Sequence, residues 1–181
     1  MNINDKQKNE LIELFSADLI QNRIKELAEK INAEYGENEE ITVIGVLRGS
    51  VLFVSDLVKH LKMPVQMEFV RLASYGSSQQ SSGKVKAVDL SLPNLENKNV
   101  LIVEDIVDTG LTAKFLVDYI KDQHNAKKIQ FASLLDKTCA RIHPVQIDYA
   151  GFEVDDKFVV GYGLDYQGYY RNLPFIGYFP Q

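Results

Sequence analysis

The run Val100-Leu101-Ile102-Val103-Glu104-Asp105-Ile106-Val107-Asp108-Thr109-Gly110-Leu111-Thr112 restricts the fold more than any other stretch of the chain. Four apolar residues read as a buried strand over 99–103. Three carboxylates then follow within five positions, before a small turn flanked by threonines. From Gly110 onward, Leu111, Phe115, Leu116, Tyr119 and Ile120 fall on one helical face, with Lys114, Asp118 and Lys121 opposite. A buried strand, a tight turn and an amphipathic helix form one unit of an α/β sheet. In such sheets, ligands bind beyond the carboxyl ends of the strands, where Glu104, Asp105 and Asp108 are expected.

Three carboxylates this close repel one another, so each needs a hydroxyl donor, a metal or a cationic ligand to stay ionised. An adjacent pair such as Glu104 and Asp105 suits a sugar diol or a hydrated Mg²⁺. Thr109-Gly110-Leu111-Thr112 adds hydroxyls and the exposed N–H groups of a helix start, which suit phosphate. A diol site beside a monophosphate site describes a ribose 5-phosphate. The competing readings are a solvated strand end, an ATPase acidic strand and the Asp-Thr-Gly signature of aspartic proteases. The ATPase needs a GxxxxGK[ST] loop, and Gly83-Lys84 lacks both the spacing and the hydroxyl. The proteases are all-β, whereas an amphipathic helix follows Gly110 directly.

Elsewhere, Ser16 is a plausible cap for a helix to about Tyr35, with Ile20, Ile24, Leu27, Ala28 and Ile31 as its apolar stripe and Gly36 as its stop. A strand over 41–47, a turn at Arg48-Gly49-Ser50, a helix over 51–61 and a strand over 64–72 follow. The polar segment 77–83 is either a hairpin tip or a mobile lid over a site. A further strand covers 128–135, and the Gly- and Tyr-rich remainder from Asp148 contains short β-like runs such as 158–162. This alternation predicts one domain over 1–181, a mostly parallel twisted sheet with helices on both faces.

Composition limits the partners. A net charge of -5 argues against generic nucleic-acid binding. No apolar run reaches the roughly 20 residues of a membrane span, and the polar start MNINDKQKNE is no secretory signal. The single cysteine, Cys139, excludes an internal disulfide and fits the reducing cytoplasm. His60, His124 and His143 have no zinc-ligand spacing with Cys139, and GYGLDYQG over 161–168 fails the GxGxxG spacing of a dinucleotide site.

The thirteen-residue stretch resembles the phosphoribosyl-diphosphate-binding motif of the type I phosphoribosyltransferases. GVLRGS over 45–50 resembles their pyrophosphate loop, and Ser74-Tyr75-Gly76 resembles the start of their mobile catalytic loop, here about 74–84. LLDK over 134–137 and DKFVVGYGLDYQGYYRNLP over 156–174 resemble the base-binding segments of the hypoxanthine-guanine branch. The resemblance implies a small base-binding hood, mainly from about 148–181 with N-terminal residues. It also implies transfer of 5-phosphoribosyl from phosphoribosyl diphosphate to a 6-oxopurine base, giving a nucleoside monophosphate and pyrophosphate. A homodimer or homotetramer using Mg²⁺ is expected.

On this resemblance, Glu104 and Asp105 hold the ribose hydroxyls, directly or through Mg²⁺, and residues Asp108, Thr109, Gly110, Leu111 and Thr112 wrap the 5-phosphate. Asp108 also stands near purine N7 as general base or tautomer holder. Leu47, Arg48, Gly49 and Arg171 take the pyrophosphate, with a cis peptide expected at Leu47–Arg48, and Asp165 coordinates a second Mg²⁺. Ser74 and Tyr75 open the catalytic loop. Lys137 donates to purine O6, Phe158 stacks on the base, and the carbonyls of Val159 and Asp165 read its edge. Leu111 replaces a residue that is basic in some relatives, and Asn172 one that is acidic. A regulator on the same fold, binding nucleotide and nucleic acid, is the alternative; it would need a basic face.

Overall fold

The computed structural model describes residues 11–74 and 85–180. Six strands form the main sheet: β2 (Ile41–Leu47), β3 (Val65–Ser74), β4 (Val85–Asp89), β5 (Asn99–Val107), β6 (Lys128–Asp136) and β7 (Tyr149–Glu153). Their spatial order is β4-β3-β2-β5-β6-β7, parallel throughout except that β4 runs antiparallel to β3. A smaller antiparallel sheet, β1 (Ile12–Phe15), β9 (Ile176–Tyr178) and β8 (Val159–Val160), joins the two ends of the chain.

Period-two alternation on β5 explains the layers. Leu101 and Val103 pack into a core with α1 (Ala17–Tyr35) and α2 (Val51–Val58). Val100 and Ile102 pack into a second core with α3 (Leu111–His124). Both faces of the strand are therefore buried, which is why its sequence is continuously apolar. The Ser16 hydroxyl accepts from the Leu19 N–H at 3.3 Å, and Gly36 ends α1 at φ 72°, its N–H donating to Asn32 O at 2.9 Å. No helix among the described residues is long and apolar enough to cross a membrane.

Several expected boundaries move. Strand β5 does not stop at Val103: the ladder to β6 continues through Glu104↔Ser133 and Ile106↔Leu135 to Val107↔Asp136. The β-branched Ile106 and Val107 favour the extended chain, so two acids are carried inside the strand. Helix α2 ends at Val58, not at residue 61. The buried stripe of α3 is Ala113, Leu116 and Ile120, whereas Leu111 and Phe115 remain partly exposed. The edge strand β4 has no counterpart in the sequence reading; with β3 it forms the antiparallel arms on either side of 75–84.

Candidate functional site

The pleat of β5 separates the two acids that the sequence sets side by side. Asp105 points to the α1/α2 face, where Gly49 makes room: a Cβ there would lie 1.6 Å from Asp105 Oδ2. Glu104 points to the α3 face and is 7% exposed. Burial, and then the charge of Asp105, push its carboxyl well above the ordinary range, with Arg141 acting in the opposite direction. Burial also pushes Asp105 up to about 6, against its own and the Ile106 backbone N–H groups and the nearby Arg171. Two carboxyls held this far up are poised to receive hydroxyls or a cation.

Beyond Val107 the chain turns through an exposed Asp108 into Gly110, at φ 82° and ψ 0°. Only glycine fits: a Cβ would sit 2.4 Å from His143 O, in a left-handed backbone conformation. Glu104, Asp108, Thr109, Gly110, Leu111 and Thr112 line a cavity of about 220 Å³ at the N-terminus of α3. The first amides of a helix lack intrahelical acceptors, so the chemistry of this cavity suits an anion. All five residues expected around the 5-phosphate converge on it.

A second cluster forms on the other side of Asp105. The Leu47–Arg48 peptide is cis, as expected, and the Arg48 side chain is exposed. Gly163 approaches so closely that a Cβ would lie 2.0 Å from Gly49 O. Arg171 pairs with Asp165 at 2.6 Å and donates to Gly163 O at 2.6 Å; Asp165 also accepts the Gly168 N–H at 2.7 Å. Gly49, Asp105, Asp165 and Arg171 thus belong together. Glu104 does not join them, so the three acids expected to bind metal are split. Among the described residues, no three carboxylate, histidine or cysteine side chains converge on one metal position.

Lys137 follows β6 directly, its N–H donating to Val107 O at 3.0 Å, which fixes it beside the cavity at the start of α3. Its side chain is 13% exposed, and the ammonium pairs at 2.8 Å with Asp156, an acid the sequence reading passed over. That pairing holds the Asp156 carboxyl below its usual range. Phe158 is 61% exposed, its ring meeting the edge of Tyr166 at 5.7 Å. Val159 is buried in β8. An open aromatic face near a buried ammonium suits a flat heterocycle with a carbonyl oxygen. Ser74 ends β3. Tyr75 and the rest of the expected lid, through residue 84, lie outside the described residues.

Arg141 is the side chain that sequence reasoning missed. Its guanidinium reaches Val107 O, Asp108 O and the Asp136 carboxylate. A lone arginine after a strand carries no motif; only its spacing from Lys137, near an expected turn, could have drawn notice.

The family model described as a phosphoribosyl transferase domain matches residues 13–167. A hypoxanthine-guanine phosphoribosyltransferase of Bacillus subtilis is 44% identical over 164 residues, covering 91% of this chain and 90% of that protein. A crystal structure of a hypoxanthine phosphoribosyltransferase from Staphylococcus aureus superposes with a TM-score of 0.90 at 35% identity, over 99% of this chain and 97% of that one. A Bacillus anthracis hypoxanthine-guanine phosphoribosyltransferase with HEPES in its active site gives a TM-score of 0.87 at 42% identity, over 93% and 98% of the respective chains.

Proposed function

The chain belongs to the hypoxanthine-guanine phosphoribosyltransferases of purine salvage, and from that premise we propose how its residues divide the reaction. N9 of a 6-oxopurine attacks the anomeric carbon of phosphoribosyl diphosphate as the bond to the diphosphate oxygen breaks. The products are a nucleoside monophosphate and pyrophosphate. Charge builds on the ribose and on the leaving group, so catalysis rests on aim and on electrostatics.

The observation that carries this reading is the Lys137 N–H bonded to Val107 O, which sets a base-reading lysine beside an anion cradle. The amides from Asp108 through Thr112 hold the 5-phosphate. Asp108, open to solvent at the mouth of that cradle, takes the proton from purine N7 or holds the attacking tautomer. Lys137 donates to O6, Phe158 stacks on the ring, and the carbonyls of Val159 and Asp165 accept from its edge. An ammonium has no acceptor, so adenine, whose amino group is a donor, is disfavoured.

On the diphosphate side, the amides at Leu47, Arg48 and Gly49 and the guanidinium of Arg171 meet the departing oxygens. Asp105 and Asp165 fit Mg²⁺, since each offers one carboxylate and a hard cation that takes few protein ligands would be held there by carboxylate oxygen. When bound, Mg²⁺ neutralises the diphosphate. Glu104 serves the ribose from the opposite side of the strand. The single cysteine and the salvage role fit a cytoplasmic protein, and Met67 and Val88, exposed on β3 and β4, fit burial in a homodimer or homotetramer.

The deciding experiment measures product formed from phosphoribosyl diphosphate and Mg²⁺ with hypoxanthine, guanine, xanthine and adenine, one base at a time. Turnover of 6-oxopurines with adenine inert is expected, and it ranks the substrates. Absence of turnover with every base would overturn the reading.

A further inference from the structure

We propose that Arg141 is a positioning residue that aims the amides of the phosphate loop. The proposal rests on the reading of the 108–112 cradle given above, and it assigns work to a side chain outside that cradle. Arg141 Nε donates to Asp108 O at 3.0 Å, and Nη2 donates to Val107 O at 3.1 Å. The same Nη2 pairs with the Asp136 carboxylate, which anchors the guanidinium to the end of β6. The next carbonyl along the loop, Thr109 O, accepts from the N–H groups of Ile142 at 3.0 Å and His143 at 2.8 Å. Three consecutive loop carbonyls are therefore bound to one short segment, 141–143.

A trans peptide is planar, with its C=O and the following N–H pointing in opposite directions. Holding the carbonyls of Val107, Asp108 and Thr109 turns the amides of Asp108, Thr109 and Gly110 the other way. Among the described residues, no backbone carbonyl takes the N–H of Thr109 or Gly110. Those amides border the cavity of about 220 Å³. The fit is close, because the space a side chain at Gly110 would need is filled by His143 O and, 2.9 Å away, by Arg141 Cδ. A planar fork can serve two carbonyls and a carboxylate at once; an ammonium on a flexible stem cannot hold the same three directions.

A residue that only glued the fold would weaken all ligands alike. A residue that aims the amides affects ligands that carry the 5-phosphate and spares those that lack it. The test uses the full chain as wild type, Arg141→Gln and Arg141→Lys. For each, melting temperature, kcat and KM for phosphoribosyl diphosphate are measured, with Kd values for inosine monophosphate and for inosine. We expect Arg141→Gln to raise the monophosphate Kd and the phosphoribosyl diphosphate KM at least tenfold, with inosine binding changed less than twofold. Arg141→Lys should recover the melting temperature but only part of the monophosphate affinity. If Arg141→Gln does not fold, the same split in Arg141→Lys carries the test. Equal losses for inosine and its monophosphate, or wild-type constants in a folded variant, would overturn the assignment. Wild-type turnover in the same assays separates that failure from failure of the functional reading itself.

Discussion

Glu104 and Asp108 stand four positions apart, yet one is 7% exposed and the other is open to solvent. That difference suits the carboxylates to different work. A buried acid held high by desolvation is a receiver of hydroxyls, whereas an exposed acid at a cavity mouth can exchange protons with a substrate. Asp108→Asn should therefore lower turnover by roughly 10²–10⁴ while leaving the melting temperature nearly unchanged. Near-wild-type turnover in a chemistry-limited assay would refute its acid–base role. Lys137→Ala should lose much of the discrimination between hypoxanthine and adenine, read as the ratio of their kcat/KM values. An undiminished ratio would remove Lys137 from base selection. The residue types at both positions could be read from the sequence because each follows a recognisable strand. Asp156 and Arg141 could not, since their importance lies in which group each one touches.

Helices and strands are joined by a second set of polar contacts, remote from the cavity. Glu34, near the end of α1, pairs with Lys128 of β6, accepts from the Tyr149 hydroxyl of β7, and accepts from Gln130 Nε2 at 2.9 Å. The Lys128 and Tyr149 contacts, opposed by partial burial, bring its carboxyl down to about 2. A depressed carboxylate contributes stability above its unfolded value, near 4.5, and loses that contribution as pH falls through about 2. The group is 39% exposed, so solvent screening reduces the effect to about 1 kcal/mol. Urea melts should show Glu34→Gln less stable than wild type at pH 7, with the two converging between pH 4.5 and 2. A constant gap across that window would refute the argument. At this scale the sequence announced each long element through periodicity, as with Ile20, Ile24, Leu27 and Ile31 of α1. The β-like run expected over 158–162 is present as the two-residue β8, shortened because positive φ at Gly161 and Tyr162 ends it. The sequence could not show where β5 ends, because Glu104 is paired in the ladder like any apolar residue and the pairing resumes at Ile106 beyond Asp105.

Across the whole molecule, the small sheet shares a core with the large one: Val159 and Ile176 are buried in the same cluster as Leu134, Leu135 and Phe152. Phe15 of β1 stacks on Phe152 of β7 with ring centroids 4.2 Å apart, and Gly163 meets Gly49 backbone to backbone. Removing a buried aromatic ring costs about 3–5 kcal/mol; Phe15 is only partly buried, so Phe15→Ala should cost about 2 kcal/mol. That variant should also weaken purine binding, because β1 flanks β9, which in turn holds the strand after Phe158. Unchanged purine affinity in a destabilised Phe15→Ala enzyme would show that the small sheet does not shape the base site. The charges around the cavity have a further consequence. Lys137 is matched by Asp156, Arg171 by Asp165 and Arg141 by Asp136. For a polyanion approaching this acidic chain, the pull of these three cations is offset by the acids beside them. Ionic strength should therefore alter its rate of entry only weakly, and more salt should not slow it. These three cations carry their own counterions, and substrate binding at them is an ion exchange.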